Sequence, residues 1–255
     1  MLRQEAEYFF GAVRFFTRLP VPAWVGHSQD ALDRAARYFP LVGILVGVLG
    51  GLTFLLAALV LPVSIAVLLS MATTLLVTGA FHEDGLADSV DGFGGGWTKP
   101  QVLAIMKDSR IGSYGAIAVG LMLLAKFNAL YELPDEWIAP AIVAAHAASR
   151  FCSTALIYAL DYVRDDDSAR AKPLAVRMGA GSLAVAALFG LAPLALLPWQ
   201  AALAGLGLAA LTTFLVARYF VRRIGGYTGD CLGATQQGAE LAIYVGMLAI
   251  AWNFS

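Results

Sequence analysis

The chain has 255 residues, of which 59% are hydrophobic and only 14% charged, with mean hydropathy +0.72 and net charge −1. A soluble domain carries roughly 25% charge, so this composition excludes an ordinary water-soluble enzyme and points to an integral membrane protein. Two cysteines, Cys152 and Cys231, are too few and too far apart for a disulfide framework or a zinc site, and no nucleic-acid partner is expected.

The opening Met1-Leu-Arg-Gln-Glu-Ala-Glu7 mixes charges, and Arg14 and Arg18 break any apolar run, so no cleavable signal is expected. Apolar Leu2, Phe9, Val13 and Phe16 alternate with Arg3, Glu7, Arg14 and Arg18. That period predicts an amphipathic helix within residues 1–36, lying in the membrane interface or packed on the protein's own loops. Arg37-Tyr-Phe-Pro40 reads as an elbow into a single membrane domain over 37–255, with Pro40 in the first helical turn. Apolar runs follow at Leu41–Leu61, Val63–Phe81, Gly115–Leu133, Trp137–Leu160, Ser182–Leu197, Ala201–Ala217 and Ala239–Phe254. Each is near the ~20 residues that cross a ~30 Å hydrocarbon core. The expected fold is an all-α polytopic transmembrane bundle of about seven spans, or six, because the fifth and sixth runs are marginal in length. Gly43, Gly47 and Gly51 recur every four residues, which permits close helix contact within the chain or in a homo-oligomer.

Of 17 Lys and Arg, only Lys126 and Arg150 fall inside these runs. The others lie in the N-terminal segment and in three loops. These loops hold Lys99, Lys107 and Arg110; Arg164, Arg170, Lys172 and Arg177; and Arg218, Arg222 and Arg223. Alternate connections carry only acids: Glu132, Asp135 and Glu136. With seven spans every basic loop falls on one side, which the positive-inside rule assigns to the cytoplasm.

The second run enters Phe81-His-Glu-Asp-Gly-Leu-Ala-Asp-Ser-Val-Asp-Gly-Phe-Gly-Gly-Gly96. If the helix continues, Asp84, Asp88 and Asp91 stand at i, i+4 and i+7 on one face, with Glu83 beside them. Stacked like charges repel unless a cation neutralises them, and oxygen-only ligands suit Mg²⁺ or Mn²⁺. A solvated acidic loop is the bland reading. Against it, ionisable groups at the end of a membrane span are expensive and usually functional. His82 reads as a structural residue, or as a proton acceptor beside the acids. Glycines at 92 and 94–96, Gly94 and Gly95 among them, end the helix and are either a plain loop or a place where backbone N–H groups meet anionic oxygens.

Lys107-Asp-Ser-Arg-Ile-Gly-Ser-Tyr-Gly115 precedes the third run. Lys107 and Arg110 suit phosphate oxygens, and Asp108 would join the metal shell or orient Arg110. Gly225-Gly-Tyr-Thr-Gly-Asp-Cys-Leu-Gly-Ala234 carries Asp230, a second carboxylate source or a helix cap, with Glu240 downstream. Arg150, with His146 one turn earlier, is either a buried partner for a carboxylate or a substrate-phosphate contact. Together these residue types describe metal-assisted transfer at phosphorus.

Five blocks, in order, resemble the cobalamin (5′-phosphate) synthases, also called adenosylcobinamide-GDP ribazoletransferases. They are Phe16-Thr-Arg-Leu-Pro-Val-Pro22, Arg37-Tyr-Phe-Pro-Leu-Val-Gly43, Phe81–Gly92, Lys107–Gly115 and Thr228-Gly-Asp-Cys-Leu-Gly-Ala234. The resemblance covers nearly the whole chain. It implies a Mg²⁺-dependent inner-membrane enzyme joining adenosylcobinamide-GDP to α-ribazole, or its 5′-phosphate, with release of GMP. It further implies that Asp84, Asp88, Asp91 and Glu83 hold the metal while Lys107 and Arg110 steady the phosphates. Two rival readings are a phospholipid head-group transferase using a CDP-linked donor and a membrane ion transporter. Transport sites usually sit at mid-membrane, whereas these acids sit at the rim.

Overall fold

The computed structural model describes residues 2–26, 29–163 and 178–254; Arg164, Arg170, Lys172 and Arg177 lie outside them. The described chain is helical, with no strand beyond one isolated bridge between Tyr162 and Tyr227. Helix α1 (Leu2–Phe16) turns Tyr8, Ala12, Val13 and Phe16 onto Ala35, Phe39 and Val42, so its apolar face packs on the protein itself. Helix α2 (Gln29–Ala35) and a 3-10 turn (Ala36–Tyr38) form the elbow into α3 (Phe39–Ala58), with Pro40 in its first turn, where a missing N–H costs nothing.

Helix α4 (Val63–Thr78) returns antiparallel to α3 and breaks sharply into α5 (Phe81–Gly95). Short α6 (Lys99–Met106), α7 (Ser113–Tyr131), α8 (Asp135–Ala159), α9 (Ala180–Leu191), α10 (Trp199–Ile224) and α11 (Gly229–Phe254) complete the order. Helix α8 is central and most of its residues are buried. The glycine stripe of α3 is what brings it close: a Cβ at Gly43 would collide with the His146 carbonyl, and one at Gly47 would lie 2.7 Å from the Val143 Cα. The stripe therefore serves helix contact within the chain. Ile138, Ile142, Ile243 and Met247 fill the interior between α8 and α11. Large apolar side chains such as Leu56, Leu76, Leu121 and Phe214 face outwards on α3, α4, α7 and α10. Exposed apolar surface of that extent fits lipid, not water, so the protein is a multi-pass membrane protein.

All of the expected runs are helical, but the count of seven spans is not reached. Among the described residues four helices are long and apolar enough: Ala31–Ala58, Ser113–Tyr131, Asp135–Ala159 and Trp199–Ile224. A fifth arises only if α4 and α5, bent by 84°, are taken as one. The apolar helix Ala180–Leu196 is short, and α11 carries buried Gln236, Gln237 and Glu240, which lower its hydropathy although it has 26 residues.

Candidate active site

The site begins at the break between α4 and α5, which falls inside the single apolar run Val63–Phe81 of the sequence. Gly79 (φ 65°) and Ala80 (φ 57°) both adopt left-handed backbone. The amides of Gly79 and Ala80 donate to the Leu75 carbonyl, closing α4 and redirecting the chain. For alanine this conformation costs roughly 1–2 kcal/mol; a strained residue here swings the acidic helix across the end of the bundle.

Helix α5 keeps the predicted facing of its acids, yet they have different tasks. Asp84 is exposed, Asp88 half-buried and Asp91 buried. The Asp91 carboxylate accepts the Gly112 amide at 2.7 Å and the Gly115 amide at 2.9 Å, so it caps α7. A Cβ on either glycine would strike that carboxylate, which explains the glycines of the Ile-Gly-Ser-Tyr-Gly segment. Glu83 faces the other way: its Oε1 accepts Gln237 Nε2 at 2.8 Å, and its Oε2 is buried with no hydrogen-bond partner. Among the described residues no three His, Cys, Asp or Glu side chains converge to hold a metal unaided. Asp84, exposed, and Asp88, half-buried, stand one turn apart on the outer stripe. A pair fits Mg²⁺, which takes one or two carboxylates and completes its shell with phosphate and water.

Beyond Asp91 lies the segment from Lys107 to Gly112. Asp108 grips Arg110 with both oxygens, at 2.6 Å from Oδ2 to Nη2 and 3.0 Å from Oδ1 to Nε, and its Oδ1 also accepts the Arg110 amide. These bonds hold the Asp108 carboxyl down to about 2. Asp108 thus orients Arg110, whose side chain is 86% exposed; Lys107, exposed, ends α6. Gly94 and Gly95 are the last residues of α5, pressed against Tyr114 and Ile105. They let α6 and α7 close on the helix and do not form a turn presenting amides to an anion.

Gly85 and Gly233 make a second close approach, with a Cβ at Gly85 only 3.2 Å from the Asp230 carbonyl oxygen. This packs the first turn of α11, with Asp230, beside the acidic stripe, where Thr228 Oγ1 donates to Asp230 Oδ2 at 3.3 Å. His82 is buried and stacked on Phe16 at 5.3 Å between ring centres, a packing role. Arg150, 1% exposed, donates to the His146 carbonyl at 2.9 Å. It is an interior residue, as expected, and its Nε is buried with no hydrogen-bond partner.

Sequence reading missed the polar interior behind Glu83. Lys126 Nζ lies 2.7 Å from Gln237 Oε1 and 3.0 Å from Glu240 Oε1. Gln236 Nε2 reaches Glu240 Oε2 at 2.8 Å and Ser149 Oγ at 3.0 Å, while Tyr244 donates to Glu240 Oε1. A cavity of about 20 Å³, enough for one water, is bounded in part by Glu83, Lys126, His146 and Glu240. The available signal was Lys126 within one apolar run and Glu240 within another, of opposite sign. At the far end of α5, Arg223 donates to the Gly96 carbonyl at 2.6 Å and stacks over Phe93 and Tyr219. In the sequence Arg223 reads only as a positive-inside charge.

The family model described as Cobalamin-5-phosphate synthase matches residues 8–248. The chain belongs to that family. A protein named adenosylcobinamide-GDP ribazoletransferase from Shewanella frigidimarina is 48% identical over 251 residues, covering 97% of this chain and 96% of that one. Proteins of the same name from Leptothrix cholodnii and Ralstonia nicotianae are each 49% identical, the former covering 98% of both chains and the latter 100% of this chain and 98% of its own. No solved structure matches the chain. The family match takes in the bend, the acidic helix, the Arg110 segment and the polar interior alike.

Proposed function

We propose that this chain is the adenosylcobinamide-GDP ribazoletransferase of cobalamin assembly. It joins adenosylcobinamide-GDP to α-ribazole or its 5′-phosphate, giving adenosylcobalamin or its 5′-phosphate and GMP. A ribose hydroxyl of the acceptor attacks the phosphorus that carries cobinamide; the new P–O bond forms as the bond to GMP breaks, and the hydroxyl proton passes to solvent. The observation that carries the reading is the stripe of Asp84 and Asp88 on a helix whose Asp91 holds the segment bearing the oriented Arg110, in a chain nearly half identical to proteins of that name. Asp84 and Asp88 would hold Mg²⁺, or Mn²⁺, which supplies positive charge to a diphosphate. Arg110 and Lys107 bind the phosphate that departs with GMP and offset the charge it gains. Asp91 and Glu83 keep the helix in place. In this reading the face with the basic segments is cytoplasmic and the bundle sits in the inner membrane, which the Lys and Arg bias of the loops supports.

The test is GMP release by membranes containing the chain, supplied with both substrates and Mg²⁺, with and without EDTA. Loss of release on chelation and in Asp84→Asn or Asp88→Asn, with insertion unchanged, is expected. Full turnover in either variant removes the assignment, and release of CMP from a CDP-linked donor in place of GMP removes the reaction.

A further inference from the structure

Phe16-Thr-Arg-Leu-Pro-Val-Pro22 carries a cation that no step above uses. Thr17 Oγ1 donates to the Val13 carbonyl at 2.7 Å and accepts the Leu19 amide at 3.2 Å, so the chain turns out of α1 at a fixed angle. The Arg18 amide then donates to the Val77 carbonyl at 2.8 Å, pinning this turn to the end of α4. Its guanidinium lies on Gly79, where a Cβ would stand 2.6 Å from Nε. The glycine is needed here both for its backbone and for the room it leaves the arginine.

Arg18 is exposed, and among the described residues its guanidinium has neither an ion pair nor a hydrogen bond. Phe15, three residues earlier, packs on Phe81 at 5.0 Å between ring centres. Phe81 shares a helix face with Asp84 and Asp88, so the Arg18 turn caps one end of the acidic stripe. Asp91, which holds the Arg110 segment through Gly112, marks the other end. Asp84 and Asp91 are seven residues apart, about 10 Å along the helix. The face thus reads cation, two acids, cation.

In-line displacement places the attacking and leaving oxygens on opposite sides of phosphorus. With GMP leaving towards Arg110, the acceptor enters from the Arg18 end. We propose that Arg18 binds the phosphate of a phosphorylated acceptor, making it the residue by which the chain distinguishes α-ribazole 5′-phosphate from α-ribazole. This rests on the transferase reading and adds a residue and a preference to it.

Steady-state kinetics of GMP release, with each acceptor in turn and the donor saturating, tests the assignment. Arg18→Gln should raise KM for the phosphorylated acceptor roughly ten- to a hundredfold, as expected for loss of a charge-assisted contact. KM for α-ribazole should change less than about threefold, and Arg18→Lys should recover part of the loss. An equal effect on both acceptors, a raised KM for the donor, or no effect overturns the proposal. Absence of GMP release by the unaltered protein would instead overturn the transferase reading, so the two failures are distinct.

Discussion

Replacing Glu240 with glutamine tests how the acidic helix is held. Glu240 is 3% exposed and its oxygens receive Lys126 at 3.0 Å, Gln236 at 2.8 Å and Tyr244 at 3.3 Å, with His146 at 3.7 Å. Glutamine keeps the shape but offers one acceptor oxygen and an NH₂ that must face donors. It also leaves the Lys126 ammonium, 4% exposed, without its counter-charge. Stripping a buried ion pair of one partner costs about 3–5 kcal/mol, and one unsatisfied buried donor alone costs about 1–3 kcal/mol. At roughly 2–4 °C per kcal/mol for a chain of this size, Glu240→Gln should unfold about 10 °C below the unaltered protein in detergent. Lys126→Met together with Glu240→Met removes both charges and should recover most of that loss. Size-exclusion of heated samples reads both effects. A Glu240→Gln protein as heat-resistant as the parent, or a double variant no better than the single, refutes the argument that this pair is closed off from water and lipid head groups.

Asp91→Asn should lose about 1–2 kcal/mol of stability through a weakened cap on α7, yet its remaining turnover should keep the Mg²⁺ concentration dependence of the parent; a shift in that dependence would place Asp91 in the metal shell. Asp108→Asn should raise KM for adenosylcobinamide-GDP several-fold by releasing Arg110, with unchanged heat resistance. The depressed Asp108 carboxyl keeps its bond to Arg110 above the ordinary carboxylate range and loses it only as pH falls towards about 2. The Asp108→Asn and parent pH–rate profiles should therefore have the same shape between pH 5 and 9, and an acid limb present in only one of them sinks this account.

Composition and hydropathy made the helical membrane class legible, because lipid tolerates only paired backbone groups and apolar surfaces. Hydropathy does not see where a helix bends. Val63–Phe81 reads as one run, but Gly79 and Ala80 adopt left-handed backbone and turn the next helix by 84°. The acid spacing correctly put Asp84, Asp88 and Asp91 on a shared face, since α-helical period alone decides that. It could not say that Asp91 meets the amides of a helix that starts 22 residues later, nor that Glu83 turns inwards to Gln237 across 154 residues. Those partners are tertiary. Lys126 and Glu240 were each visible as a misfit in an apolar run; their pairing required the fold.

The polar interior and the acidic stripe are two faces of the same helix, and that connection explains why a membrane bundle retains a costly ion pair. A buried pair contributes little net stability compared with apolar packing, so stability alone does not account for Lys126 and Glu240. Orientation does. Lys126 and Gln236 fix the amide of Gln237, which has only one way round in which its oxygen meets Lys126 and its nitrogen meets Glu83. That sets the rotation of α5 at its first turn. Asp91 fixes the middle through the α7 amides, and Arg223 closes the last turn on the Gly96 carbonyl. With rotation fixed at three heights, Asp84 and Asp88 cannot roll towards lipid or into the bundle. Transfer at phosphorus depends on such positioning more than on any reactive side chain, and in the proposed reaction a displacement of 1 Å at the acids is costly to it.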